Sequence, residues 1–374
     1  MTTKLGVLVL ARPENGGTYQ YTLSMLQALR HTSGFDVTLY GDPTDPELVK
    51  AGFPVMPFSE SRQRQLIALA ANRLGVKLTD PFAAEDVLLA PIYSLSLLHT
   101  KKPFAYTLHD LQEKHYPGNF SIWQRVWRHQ IHARLLRRAR RVICESNYVR
   151  TDIVRYFGVD EGRIAVIAAP PQGQFQLEMD APQLETARKR MGLPARFLFY
   201  PAQFWPHKNH MRLVEAFRGV VDEIPDVNLV LTGKKRDEYQ AVMDAIAKLD
   251  LTEKVHHLGY VEQQDLQATY QLATALVMPS LFESVSIPIY EAFQVGTPVI
   301  ASNVVAIPEQ VGDAGLVFDP TDVVSIRDTI LKMLRDPEAA KRLGRNGRAR
   351  MLAMTAERYG RQLQELLQSL QSVW

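Results

Sequence analysis

The 374-residue chain has one cysteine, Cys144, so an intrachain disulfide framework is excluded and a reducing, cytoplasmic setting is expected. Cys144 ends the apolar run Arg141-Val142-Ile143-Cys144, the pattern of a buried strand, which assigns the thiol to packing rather than to nucleophilic chemistry. No apolar stretch approaches the ~20 residues a spanning helix needs, so any membrane contact is expected to be peripheral. Met1-Thr2-Thr3-Lys4 runs directly into a strand-like segment, without the pattern of a secretory signal. The spacings H-E-x-x-H and C-x-x-C are missing, and with them the usual sequence support for zinc. An acidic D-x-D pair and a complete G-x-G-x-x-G are missing too. No recognised nucleic-acid module accompanies the basic segments, so nucleic acid is not an expected partner.

What remains is a soluble-type composition, 46% hydrophobic and 22% charged, in a chain long enough for two domains. The net charge of +3 is unevenly placed: residues 1–170 hold 21 Lys+Arg against 15 Asp+Glu, and the rest holds 22 against 25. The first half is therefore expected to meet something acidic, such as a membrane surface or a phosphorylated acceptor. Strand-like runs alternate with helical patterns at Leu5–Leu10, Val37–Tyr40, Val87–Ala90, Phe104–Leu108, Val142–Cys144 and Ile164–Ala168. The alternation restarts at Phe197–Tyr200, Asn228–Leu231, Val255–Leu258, Ala275–Met278 and Pro298–Ala301. Such alternation predicts α/β architecture with parallel sheets. We expect two doubly wound, Rossmann-like domains, 1–170 and 191–355, with ligands held in an interdomain cleft beyond the carboxyl ends of the strands. The Pro- and Gln-rich stretch 171–190 is the expected linker, and 356–374 is a C-terminal helix expected to pack back towards the first domain.

Glu283 and Glu291 are the most informative pair. Ser286 and Pro288, between them, resemble a helix cap and a first-turn proline. One acid then precedes a helix N-terminus and the other lies on its second turn. That N-terminus favours an anion, and acids beside it suit hydroxyls; a capped surface helix with scattered acids has the same pattern. Gly16-Gly17, between the first strand and first helix, lets a ligand approach the backbone or simply makes a tight turn. His109-Asp110 ends the strand Phe104–Leu108, a position suited to polar chemistry. In Pro206-His207-Lys208-Asn209-His210, Lys208 is placed to neutralise a diphosphate, with a solvated helix start as the alternative. Lys234 and Lys235 are assigned to the surface. The segment Ile122–Arg141 holds seven arginines and no acid, with Trp123, Trp127, Ile131 and Leu135 at helical spacing. It forms either a lipid-facing helix or one packed on the sheet.

Together these residues resemble retaining GT-B glycosyltransferases, specifically glycosyltransferase family 4. Glu283 and Glu291 match its two glutamates separated by seven residues, and Gly296–Ser302 and Ile307-Pro308-Glu309 match the segments that follow. Gly16-Gly17 and His109-Asp110 resemble its acceptor-side loops. Tyr106–Gln112 and Tyr200–His210 are most similar to the branch that builds bacterial O-antigen and other surface polysaccharides. The resemblance implies that Glu283 holds hydroxyls of the donor sugar, Glu291 the ribose, and Lys208 the diphosphate. Backbone from Ser284 and Val285 to Ser286 and Ile287 would cradle phosphate and sugar. Gly259, Tyr260 and Val261 would lie along the base, with Gly16 and Gly17 near the donor phosphates. His109 would sit beside the transferred sugar, with Asp110 on the acceptor side.

Two departures stand out. Gln203 occupies the region where the family commonly has an arginine, and Ser284 and Ser286 replace glycines. The implied reaction moves a hexose from a nucleotide diphosphate sugar, GDP-mannose first, to a glycan or lipid-diphosphate-linked acceptor, with retention and without a metal or other cofactor. UDP-hexoses, UDP-N-acetylhexosamines and dTDP-rhamnose are the other donors considered. The rival functions are a GT-B sugar-nucleotide epimerase and a non-catalytic partner of a polysaccharide assembly complex.

Overall fold

The computed structural model describes residues 2–76, 78–171 and 179–371. They form two compact units, Met1–Gln172 with Met354–Trp374, and Gly173–Ala353.

The first unit is built on a seven-stranded sheet: β1 (Thr3–Leu8), β2 (Phe35–Gly41), β3 (Val55–Pro57), β4 (Val87–Ala90), β5 (Phe104–Thr107), β6 (Arg141–Cys144) and β7 (Ile164–Val166). All neighbours pair in parallel, in the order β3-β2-β1-β4-β5-β6-β7. The central strand β4 is an unbroken apolar run because helices cover both faces; every residue of β4 and β5 is buried. Cys144 lies in this core. The order reverses between β1 and β4, which opens a crevice at their carboxyl ends.

The second unit repeats the plan with β8 (Phe197–Pro201), β9 (Asn228–Thr232), β10 (Val255–His257), β11 (Ala275–Met278), β12 (Val299–Ser302) and β13 (Gly315–Phe318). Its parallel order, β10-β9-β8-β11-β12-β13, reverses between β8 and β11. The parallel α/β alternation expected from the sequence is thus present twice. The helix Ala356–Gln371 belongs to the first unit, where Tyr359, Leu363, Leu367 and Leu370 share a core with Tyr21, Met25 and Leu29. A side chain at Gly360 would collide with the Ala28 carbonyl, so the two helices touch backbone to backbone there.

Part of the stretch taken as a linker is helical. Residues 172–178, and 372–374 of the segment expected as a terminal helix, lie outside the described residues, but Ala181–Met191 is an α-helix. Asp180 and Gln183 form a capping box, Pro182 occupies the first turn, and Gly192 closes it at φ +63°. These end signals override the Pro/Gln composition that suggested a connector.

The edge strands β3 and β13 and the helix Arg62–Arg73 were not expected. β3 is three residues ending in proline, and Arg62–Arg73 leaves Leu66 and Ile67 in solvent, so neither carries a one-sided apolar pattern.

Candidate active site

In the second unit, the residues of interest sit on loops at the carboxyl ends of its strands. After β8 the chain makes the short 3-10 turn Pro206–Lys208, then Asn209 adopts φ +61° before the helix His210–Glu223. Asn209 is buried, and its Nδ2 donates to the carbonyls of Pro279, after β11, at 2.9 Å and of Pro320, after β13, at 2.8 Å. Tyr200 Oη donates to the Lys208 carbonyl at 2.6 Å, and the Leu281 N–H donates to the His207 carbonyl at 2.8 Å. Three loops are thereby tied into one platform. On it, Lys208 Nζ forms an ion pair with Glu283, and both side chains are largely withdrawn from water.

The helix expected after Glu283 spans Ile287–Val295, with Pro288 in its first turn and Gly296 closing it at φ +79°. Ser286 stands at the N-cap position, yet its hydroxyl does not cap the helix. Instead Gln310 clamps its backbone: the Ser286 N–H donates to Oε1 at 2.9 Å, and Nε2 donates to the Ser286 carbonyl at 2.7 Å. The expectation that Ser284–Ile287 all offer N–H groups to a ligand is therefore corrected at Ser286, whose N–H is already paired. With no side chain capping the first turn, the positive end of the nine-residue helix keeps its affinity for an anion.

Glu291, on the second turn, is 7% exposed and accepts a 2.6 Å hydrogen bond from Tyr270 Oη. Burial raises its pKa, and the Tyr270 bond works against that rise. Gln203 accepts from Arg236 Nε at 2.9 Å, and that guanidinium lies over the Trp205 ring at 5.0 Å. A cation from the loop after β9 thus stands at the position where the sequence lacks one.

The same loop approaches its neighbours closely. A Cβ on Gly233 would collide with the Ala202 carbonyl, and Gly233 N–H donates to the Gly259 carbonyl at 2.8 Å. Gln203, Gly233 and Gly259 therefore share one edge. Next to Gly259, Tyr260 is 72% exposed and Val261 is half-buried. His210 is a packing residue: it stacks on Phe204 at 4.2 Å, and burial drives its pKa down to about 3.

In the first unit, Gly16 precedes the helix Gly17–Leu29 at φ +56°, with open space where a side chain would lie. His109 is held on both sides. Nδ1 lies 3.0 Å from Glu145 and Nε2 lies 2.9 Å from the Pro91 carbonyl, while the Tyr21 ring meets it edge-on. Burial opposes charging the imidazole, but Glu145, the Pro91 carbonyl and Asp110 outweigh it, and the pKa is raised. Both ring nitrogens face acceptors, which hold the ring in place and favour its charged form.

Asp110 accepts from Arg128 at 3.2 Å and from the Gln112 N–H at 3.1 Å. Both His109 and Asp110 line a 1350 Å³ cavity over the carboxyl ends of the strands, with Arg12, Arg64, Glu60 and Arg128 also on its wall. Glu60 fastens the turn after β4 by accepting from Ser94 Oγ and from the backbone and hydroxyl of Ser96.

Tyr270, Gln310, Arg236, Glu145 and Glu60 were missed by sequence reasoning. Gln310 follows the matched Ile307-Pro308-Glu309, and adjacency was its one available signal. The others lie on a helix or on loops distant in sequence from the groups they hold, and carry no local pattern. Among the described residues, no group of three His, Cys, Asp or Glu side chains is placed to hold a metal ion.

Comparison with known proteins places the chain. The profile described as Glycosyltransferase Family 4 matches residues 15–169, and that described as Glycosyl transferases group 1 matches 185–350. O-antigen chain mannosyltransferase B of Escherichia coli is 31% identical over 199 residues, covering 53% of this chain and 52% of that protein. The match thus spans about half of that relative's length. O-antigen chain mannosyltransferase RfbU of Salmonella typhimurium is 24% identical over 335 residues, 87% of this chain and 89% of that one. Among solved structures, sucrose-phosphate synthase from Thermosynechococcus elongatus superposes with TM-score 0.75 at 22% identity, covering 98% of this chain and 99% of that one. Anabaena HepE in complex with UDP and glucose gives 0.75 at 20% identity, covering 98% and 100%.

Two doubly wound parallel sheets in these strand orders, with such neighbours, define the GT-B class. Within it, the chain belongs to the family 4 glycosyltransferases.

Proposed function

We propose that this enzyme transfers a hexose from a nucleotide diphosphate sugar to a glycan acceptor with retention of anomeric configuration. GDP-mannose is the leading donor, because the relatives found at both half and near-full coverage are mannosyltransferases. The observation that carries the reading is the Lys208–Glu283 pair, held beside an uncapped helix N-terminus at the sheet's ligand-binding edge. Without donor, the two charges neutralise each other. An incoming diphosphate takes Lys208 as its counter-ion, and Glu283 is released to accept hydrogen bonds from sugar hydroxyls. Glu291, anchored by Tyr270, serves the ribose, and Gly259–Val261 lie along the base.

As the bond from the anomeric carbon to the diphosphate breaks, negative charge grows on the leaving group. Lys208, Arg236 and the helix dipole stabilise it without rearranging, and this preorganised field replaces a metal ion. The acceptor hydroxyl attacks from the face the leaving group departs, and its proton passes to a donor phosphate oxygen. The products are a glycoside of unchanged configuration and a nucleoside diphosphate. The acceptor is a saccharide borne on a lipid diphosphate, bound at the first unit's cavity.

The test is to incubate the enzyme with a panel of GDP-, UDP- and dTDP-sugars and a lipid-linked saccharide. Acceptor-dependent release of GDP from GDP-mannose supports the reading. Epimerised donor without transfer, or release from no donor, contradicts it.

A further inference from the structure

Gln310 lies in the short helix Ile307–Val311 that follows β12. Its own backbone is held independently of the donor loop. Arg350, on the helix Pro337–Leu352, donates to the carbonyls of Glu309 and Gln310 at 3.2 and 3.3 Å, and the Gln310 N–H donates to the Ala306 carbonyl at 3.1 Å. From this base the side-chain amide grips the peptide units on both sides of the Ser286 Cα, as a neighbouring β-strand would, and both residues are buried. The grip holds Ser286 extended, at φ −105° and ψ 106°, immediately before the helix Ile287–Val295. The Ser286 hydroxyl takes no part, since it is buried and has no partner among the described residues. Upstream, the Leu281 N–H is tied to the His207 carbonyl at 2.8 Å. The segment that carries Glu283 is therefore anchored at both ends, at Leu281 by the Lys208 loop and at Ser286 by Gln310.

We propose that Gln310 is a positioning residue of the transfer reaction, setting where Glu283 and the backbone N–H groups beside Ser286 stand relative to the sugar and its adjoining phosphate. This role rests on the donor site proposed above. Oε1 and Nε2 both engage Ser286, so Gln310 acts through that backbone rather than on the donor itself. Without the clamp, a buried N–H and a buried carbonyl lose their partners, and the loop turns them towards water at the expense of its geometry. A displacement of about 1 Å at a reacting centre lowers turnover by up to about 10²-fold. Ribose and base, on the same reading, are met by Glu291, held by Tyr270, and by Gly259–Val261, which the clamp does not touch. The effect of losing Gln310 is therefore confined to the sugar and the phosphate next to it.

The test uses the full chain and the sugar donor that the parent turns over, GDP-mannose first, with the matching nucleoside diphosphate and monophosphate as binding probes. The monophosphate lacks the phosphate next to the sugar. Gln310→Met keeps the length of the side chain and loses its paired donor and acceptor. It should lower kcat about tenfold or more and weaken diphosphate binding about tenfold, while monophosphate affinity stays within about twofold of the parent. Gln310→Asn keeps the amide but is one methylene short of Ser286, and should show the same split in a second fold-competent background. A folded variant equal to the parent in turnover and diphosphate binding would overturn the proposal, because the clamp would then be idle. Equal weakening of monophosphate and diphosphate would also overturn it, because Gln310 would then support the whole unit rather than the loop. A parent that binds no nucleoside diphosphate and turns over no donor removes the donor site itself; an active parent with an equally active Gln310→Met removes this role alone.

Discussion

Lys208 and Glu283, seventy-five residues apart in sequence, meet as an ion pair beyond the carboxyl ends of β8 and β11, and in the proposed function each is the other's counter-charge until a donor arrives. Removing either leaves the transition state without a preorganised partner. Lys208→Met should lower kcat by about 10²–10³, since it deletes one group that stabilises the departing diphosphate. Glu283→Gln keeps the shape but accepts hydrogen bonds more weakly, and should lower kcat/KM for the sugar donor while leaving affinity for the free nucleoside diphosphate near that of the parent. Steady-state kinetics with isothermal titration of the nucleotide separates the two effects.

Asn209 determines where Lys208 stands. Its side chain satisfies two buried carbonyls, and its backbone occupies the left-handed region that asparagine tolerates. Asn209→Ala leaves both carbonyls unpaired in a conformation alanine resists. A loss of about 2–4 kcal/mol in urea unfolding is expected. Asn209→Gly keeps the backbone freedom and should recover roughly 1 kcal/mol of that loss, while remaining slow in turnover because the clamp is still missing.

Arg236 bears on the departure at Gln203. If its guanidinium serves the donor phosphates, Arg236→Ala should raise the donor KM about tenfold, the scale of one charge-assisted hydrogen bond. Gln203→Arg in that background should restore most of the loss. A double variant as impaired as the single one would show that Arg236 acts only by packing on Trp205.

Histidine ionisation gives the stability profile two opposing slopes. The pKa of His109 is raised in the folded state, so its stabilisation is complete below the unfolded value of about 6.5 and is lost as pH rises through the folded value. Glu145→Gln should flatten that alkaline-side loss. His132 and His210 behave in the opposite sense: burial lowers each to about 3, so their stabilisation is present above about pH 6.5 and is lost as pH falls towards 3. Unfolding measured across pH should therefore show an acid limb that His210→Phe reduces.

The alternation of short apolar runs with helical patterns was enough to predict two parallel sheets, because buried parallel strands such as Val87–Ala90 must be continuous in apolar residues. Pro288 marks the start of the helix Ile287–Val295 through local chemistry, so that element could be located from sequence, although the Ser286 hydroxyl expected to cap it does not. Clamps that join distant loops could not. Nothing near Ser286 announces that Gln310 will occupy its N–H, and nothing near His109 announces Glu145. Composition also misled at Ala181–Met191, where a capping box outweighs the surrounding prolines and glutamines.

The most direct measurement of the central claim follows the anomeric proton by NMR as the enzyme acts on GDP-mannose and a lipid-linked saccharide, with Glu283→Ala in parallel. The account predicts an α-mannoside from the α-configured donor as the first product, and a folded Glu283→Ala protein without turnover. A β-mannoside as the first product, or undiminished transfer by that variant, would contradict it.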